Sequence, residues 1–112
     1  MQIEHLQVED VTKIALEGRL DTAGVSRIEI PFGARAAAGG RAVIVDLSQV
    51  SFIASLGVRL FISSARALAA KGGRMVLFAP TAGVAEIIDV MGLGEIIPVV
   101  ADEPAALAHV RA

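Results

Sequence analysis

Residues 41–80 read RAVIVDLSQVSFIASLGVRLFISSARALAAKGGRMVLFAP, and the order of patterns in this stretch decides the fold class. RAVIVDLS, 41–48, is a β-branched apolar run bounded by Gly39-Gly40 and a polar turn, the pattern of a central strand covered on both faces. From Ser55 to Lys71 the period changes. Val58, Phe61, Ile62, Ala65, Leu68 and Ala69 recur at steps of three and four, which predicts a helix with one buried stripe. Gly72-Gly73 ends it, and RMVLFAP reads as a second buried strand.

The same alternation continues on both sides. Residues 2–9 and 11–17 are two short apolar-polar segments around Glu9-Asp10, with Thr12, Ile14 and Leu16 on one face, a hairpin pattern. GRLDTAG then supplies turn chemistry. Asp21 or Thr22 is placed to cap a helix that carries Val25, Ile28 and Phe32 at helical spacing. Pro31 lacks an N–H and crowds the preceding turn, so this helix is expected to kink or restart there and to end near Gly39-Gly40. TAGVAEIIDVMG reads as a helix with Val84, Ile87, Ile88 and Met91 inward, EIIPVV as a short strand, and DEPAALAHVRA as a terminal helix with Pro104 in its first turn. Together these predict one α/β domain over 1–112, with a mostly parallel mixed sheet, an antiparallel N-terminal hairpin at one edge and about four helices.

Composition narrows the chemistry. The 112 residues include no cysteine, which excludes disulfides, thiolate metal sites and cysteine nucleophiles, and the two histidines, His5 and His109, are far apart. No metal site and no cofactor are expected. A net charge of −2, with Lys and Arg scattered singly, provides no footprint for a phosphate backbone, so nucleic acid is not an expected partner. No apolar stretch approaches the roughly 20 residues of a membrane span, and MQIEHLQVED has no signal-peptide pattern. The expectation is a soluble, cytoplasmic protein without a membrane partner, monomeric or weakly dimeric.

Catalytic motifs are absent as well. There is no phosphate-binding G-x-x-x-x-G-K-[ST] loop and no G-x-S-x-G, and nothing in the sequence supplies Ser55 with an activating base. Asp46 ends a strand, as does the phosphorylated aspartate of response-regulator receiver domains, but no lysine follows LFAP or EIIPVV. An Asx-type bond within DLSQV is the expectation for it. No catalytic residue is assigned, and the protein is not expected to be an enzyme.

FIASLGVRL, 52–60, carries the remaining signal. Ser55 stands where the second helix begins and has the chemistry of an N-cap, worth about 1 kcal/mol over alanine. At 100° per residue, Leu56 and Leu60 fall opposite the Val58–Phe61–Ala65 stripe, alongside Arg59 and Ser63, and are expected to be exposed. A hydroxyl beside two exposed leucines at a helix start describes a docking patch that a phosphate could switch.

The 41–80 stretch, with ALEGRLDTAG before it and VMGLGEIIPVV after it, resembles the STAS domain of bacterial anti-sigma factor antagonists. The resemblance implies a partner-switching regulator of transcription that binds an anti-sigma factor that is also a serine kinase. The kinase phosphorylates a serine or threonine at the start of the second helix, here Ser55, and a PP2C-type phosphatase reverses it. Asp21 and Thr22 on the neighbouring loop, with Ser55, Leu56, Gly57, Arg59, Leu60 and Ser63, form the implied partner surface. Family members commonly carry aspartate immediately before the phosphorylated residue, where this chain has Ala54. The alternative is a STAS scaffold or small-anion-sensing module in which phosphorylation plays no part.

Overall fold

The structure is a computed structural model that describes residues 1–38 and 42–111. Five strands form one sheet in the order β1-β2-β3-β4-β5: β1 (Gln2–Val8), β2 (Val11–Leu20), β3 (Ala42–Ile53), β4 (Arg74–Phe78) and β5 (Val99–Val100). β1 and β2 pair antiparallel through the two-residue turn at Glu9-Asp10, and every later pairing is parallel. The parallel pairs require crossovers, supplied by α1 (Thr22–Ala38), α2 (Ser55–Ala69) and α3 (Ala82–Val90), while α4 (Glu103–Arg111) follows the last strand. The α/β architecture read from the sequence is the one observed.

α1, α2 and α3 cover one face of the sheet. Their stripes, including Val25, Ile28 and Phe32, Val58, Phe61 and Leu68, and Val84 and Ile88, bury against Ile14, Val43, Val45 and Leu77. Phe32 of α1 and Phe61 of α2 meet with ring centroids 5.5 Å apart at 52°, a tilted aromatic contact between neighbouring helices. The opposite face has a smaller core of Val11, Ile44, Val76 and Phe78 under Ala106 of α4. β3 is central and buried on both faces, as its continuous run of β-branched residues requires.

Several local expectations are corrected. α1 runs through Pro31 without restarting, because Ile28, Phe32 and Ala36 on either side of the proline are buried and hold both halves to the sheet. The predicted helix end at Gly39-Gly40 lies outside the described residues. β3 continues to Ile53 in place of a turn at DLSQV. Asp46 still accepts the Ser48 N–H at 2.9 Å, and the register against β2 shifts there, so the Asx bond sits in an irregularity of a continuing strand.

In α2 the buried positions are Gly57, Val58, Phe61, Ser64 and Leu68. Ile62 and Ala65 are partly buried, and Ala69 is exposed beside a hollow that it lines with Ala65 and with Met75 of β4. Met91 is 44% exposed: α3 stops at Val90, Gly92 turns the chain at φ 68°, and Leu93 takes the inward position instead. The strand expected over EIIPVV shrinks to Val99–Val100. Leu93–Glu95 form a 3-10 turn, the Ile96 and Ile97 N–H groups bond back to the Leu93 carbonyl, and Pro98 has no N–H to donate.

Candidate functional site

The C-terminal ends of β2 and β3 bring the loop at Asp21 beside the start of α2. Leu20 pairs with Ile53, and the Ala54 N–H extends the ladder by donating to the Leu20 carbonyl at 2.9 Å. Ala54 then has extended geometry, φ −100° and ψ 171°, and its carbonyl accepts from Gly57 and Val58. Ala54 is therefore the N-cap, and the helix start lacks a side-chain cap. This corrects the reading of Ser55 as the capping residue. Ser55 is the first helical residue, exposed, and among the described residues its hydroxyl has no hydrogen-bond partner.

Close packing fixes the position of Ser55 relative to the sheet. A Cβ at Gly57 would lie 3.0 Å from Ile53 Cγ1 and 3.2 Å from Leu20 Cβ, so the absence of a side chain lets the first turn of α2 seat on the β2 and β3 ends. Gly57 is buried and lies beneath the surface that Ser55 and Leu56 form. On the Asp21 side, the Asp21 Oδ1 accepts the Gly24 N–H at 2.9 Å and caps α1. That bond, followed by the hydrogen bond and attraction of Arg19, holds the Asp21 carboxyl below its ordinary value of 3.8. Gly24 is obligatory here, since a Cβ would fall 2.0 Å from the Arg19 carbonyl oxygen.

The residues expected at a docking surface are distributed unevenly. Ser55, Leu56, Arg59 and Ser63 are exposed along α2, and Thr22 is exposed at the start of α1. Leu56 is 37% exposed. Leu60, expected to be exposed, is partly buried and packs against the main core, because α1 lies beside that flank of α2. The Ser63 hydroxyl donates back to the Leu60 carbonyl at 3.2 Å.

Two residues were not singled out by the sequence reading. The Arg19 guanidinium lies 4.5 Å above the centre of the partly buried Phe52 ring, and its Nε is 3.5 Å from Asp21 Oδ2. Such a cation–π contact is worth about 0.5–1 kcal/mol at an exposed site. Residues 33 positions apart meet only because β2 and β3 pair in this register, so no local pattern announces them. Among the described residues no three His, Asp or Glu side chains gather as a metal would require, and no described helix is long and apolar enough to cross a membrane.

The five-stranded mixed sheet with its helices agrees with comparison to known proteins. The STAS domain profile matches residues 2–106. The chain belongs to the STAS domain family. Among STAS relatives, BtrV of Bordetella bronchiseptica, named as an anti-sigma factor antagonist, is 27% identical over 96% of this chain and 93% of its own length. The anti-sigma factor antagonist SpoIIAA, solved unphosphorylated, is 28% identical with a TM-score of 0.80, over 98% of this chain and 96% of that one. The Bacillus SpoIIAA phosphorylated form is 26% identical with a TM-score of 0.70, covering 98% of this chain and 100% of that one. An anti-sigma factor antagonist from Mycobacterium paratuberculosis reaches a TM-score of 0.90 at 23% identity, over 99% and 94% of the two chains, which is a likeness of fold.

Proposed function

We propose that this STAS protein is a cytoplasmic, single-domain anti-sigma factor antagonist that docks a serine-kinase anti-sigma factor through the surface around Ser55 and is released by phosphorylation there. One observation carries the reading: Ser55 is exposed at the first residue of α2 with its hydroxyl unengaged, beside the Asp21 loop. A cap serine would have its oxygen occupied by the helix. This one is open to a kinase, and the relatives named as anti-sigma factor antagonists, one of them solved in a phosphorylated form, support the same reading.

In this reading Asp21, Thr22, Ser55, Leu56, Arg59 and Ser63 contact the partner, Leu60 contributes its exposed edge, and Gly57 holds the turn down from beneath. The kinase transfers the γ-phosphoryl group of ATP to Ser55 Oγ, with release of ADP and the hydroxyl proton. The phosphate adds about −1.5 to −2 charges at pH 7. The N-terminus of α2 tolerates that charge, because the helix dipole favours an anion there and its first turn contains no acid. A partner surface seated over Leu56 and Ser55 does not, so the complex dissociates while the fold persists. A PP2C-type phosphatase returns the hydroxyl.

The test combines a mass measurement with a titration. Incubation with the cognate anti-sigma kinase and ATP is expected to add one phosphate, absent from Ser55→Ala. Ser55→Asp is expected to weaken partner binding at least tenfold with thermal stability within about 1 kcal/mol of wild type, the scale of one charge in a helix's first turn. Failure to take up phosphate, together with equal binding of wild type and Ser55→Asp, would leave a STAS scaffold without a phosphoswitch.

A further inference from the structure

The two edges of the sheet differ in how they are closed. β5 is two residues long and follows Pro98, and short strands and prolines are devices that keep an edge from pairing with another chain. β1 has neither. It runs for seven residues, QIEHLQV, in unbroken register with β2, without proline, lysine, arginine or bulge, and no other described strand pairs with its outer side. A long regular edge of this kind is a template for a further strand.

The hairpin determines which groups that edge offers. Val8 and Val11 flank the two-residue turn at Glu9-Asp10 and exchange both backbone hydrogen bonds, and the alternation that follows turns the backbone groups of Glu4, Leu6 and Val8 towards β2. The N–H and C=O groups of Ile3, His5 and Gln7 therefore point away from the sheet. The side chains add an apolar group, since Leu6 is 42% exposed. Leu6 lies opposite Lys13, whose ion pair with Glu103 marks the α4 face, and α4 packs on β3, β4 and β5, so the β1 end of that face is left uncovered.

We propose that β1 is a homodimerisation edge, at which a second copy of this chain pairs antiparallel about a two-fold axis at Leu6. The sequence of β1 is complementary to itself in that register. Leu6 faces Leu6 of the second copy as a non-hydrogen-bonded pair, the geometry that brings Cα atoms to about 4.5 Å and side chains closest together. His5 of each copy exchanges both backbone hydrogen bonds with Gln7 of the other, Glu4 stands opposite Val8, and no like charges meet. An axis at Glu4 would oppose two carboxylates, and one at His5 would set each Leu6 against a glutamate. The axis is perpendicular to the sheet, so the two sheets join into one and the C-terminal ends of β2, beside the start of α2, point in opposite directions. A dimer thus presents two outward copies of the surface around Ser55. One strand pair lies at the weak end of interfaces, below roughly 1,200 Å², so association is concentration-dependent. The dimer edge stands independently of the phosphoswitch.

The experiment is analytical ultracentrifugation of the full chain from micromolar to millimolar concentration, over which the wild type is expected to pass from monomer towards dimer. Leu6→Lys places like charges on the axis and is expected to stay monomeric while remaining folded by circular dichroism. Ile30→Lys, at an 80% exposed site on α1, is expected to associate as the wild type does. Because the chain has no cysteine, Leu6→Cys tests the register: under mild oxidation it is expected to form an intermolecular disulfide at least tenfold faster than Ile30→Cys. A wild type that stays monomeric at millimolar concentration, a Leu6→Lys variant that dimerises as well as the wild type, equal loss of association in Ile30→Lys, or equal cross-linking of the two cysteine variants would each overturn the proposal.

Discussion

At the residue scale, Ala54 has the backbone of a helix cap without the side chain of one. Its φ of −100° and ψ of 171° are those from which an aspartate or asparagine accepts a first-turn N–H. Ala54→Asp is therefore expected to stabilise the protein by about 0.5–2 kcal/mol, read as a higher midpoint in urea. Ala54→Asn separates the hydrogen bond from the charge, and an unchanged midpoint in both would mean that the extended geometry at 54 does not admit the cap. Asp21 provides the opposite case, a cap already in use. Its carboxyl is lowered by the Gly24 N–H and then by Arg19, so the stabilisation is complete above the ordinary value of 3.8 and is lost as pH falls through the lower folded value. Asp21→Asn is expected to flatten the stability profile only in that acid range, with no change of slope between pH 5 and 8, as checked by denaturant midpoints at each pH.

At the element scale, the three helices on one face are held by apolar stripes, whereas α4 depends more on charge. Only Ala106 of α4 is fully buried. Its first turn is tied by Glu103 to Lys13 of β2 at 2.6 Å, with Lys13 also 4.0 Å from Asp46, and its end is tied by Arg111 to Glu9 and Asp10 in the β1–β2 turn. Partly exposed ion pairs are worth little individually and are screened by salt. Glu103→Gln is expected to speed amide exchange in α4 several-fold while α1, α2 and α3 keep their protection, and 1 M salt is expected to act in the same direction on the wild type. Uniform loss of protection across all four helices would show α4 to be part of one cooperative unit. Leu60 illustrates a limit of periodicity at this scale. A helical wheel identifies the stripe centred on Phe61, but a neighbouring helix on one flank half-covers a residue that the wheel leaves outside.

At the scale of the whole molecule, both cores share β3 and β4, so unfolding the face under α4 exposes the reverse side of strands that the main core needs. A domain of this size with one shared sheet is expected to unfold in a single transition, with calorimetric and van't Hoff enthalpies equal. Far-UV circular dichroism is the matching optical probe, since the chain has no tryptophan or tyrosine. Two resolved heat-capacity peaks would refute the single-domain reading of 1–112.

Much of this was legible in the sequence because it follows from short-range chemistry. The β-branched apolar run at 41–48, the i, i+3, i+4 spacing of Val58, Phe61 and Leu68, and the glycines at 72–73 each announce an element through its own periodicity or stop signal, and alternation of such elements leaves few topologies. Ser55 at the start of α2 is legible for the same reason. Tertiary structure decided what depends on partners distant in the chain. The β2–β3 ladder runs one residue beyond Ile53, and that extra hydrogen bond to Leu20 moves the cap to Ala54 and frees the Ser55 hydroxyl. The same ladder lays Arg19 on Phe52, and the approach of α1 to α2 half-covers Leu60 and encloses Ser64. Local propensity sets where a helix forms to within a residue or two, but hydrogen bonds and packing between segments dozens of residues apart set which of its groups remain free to react or bind.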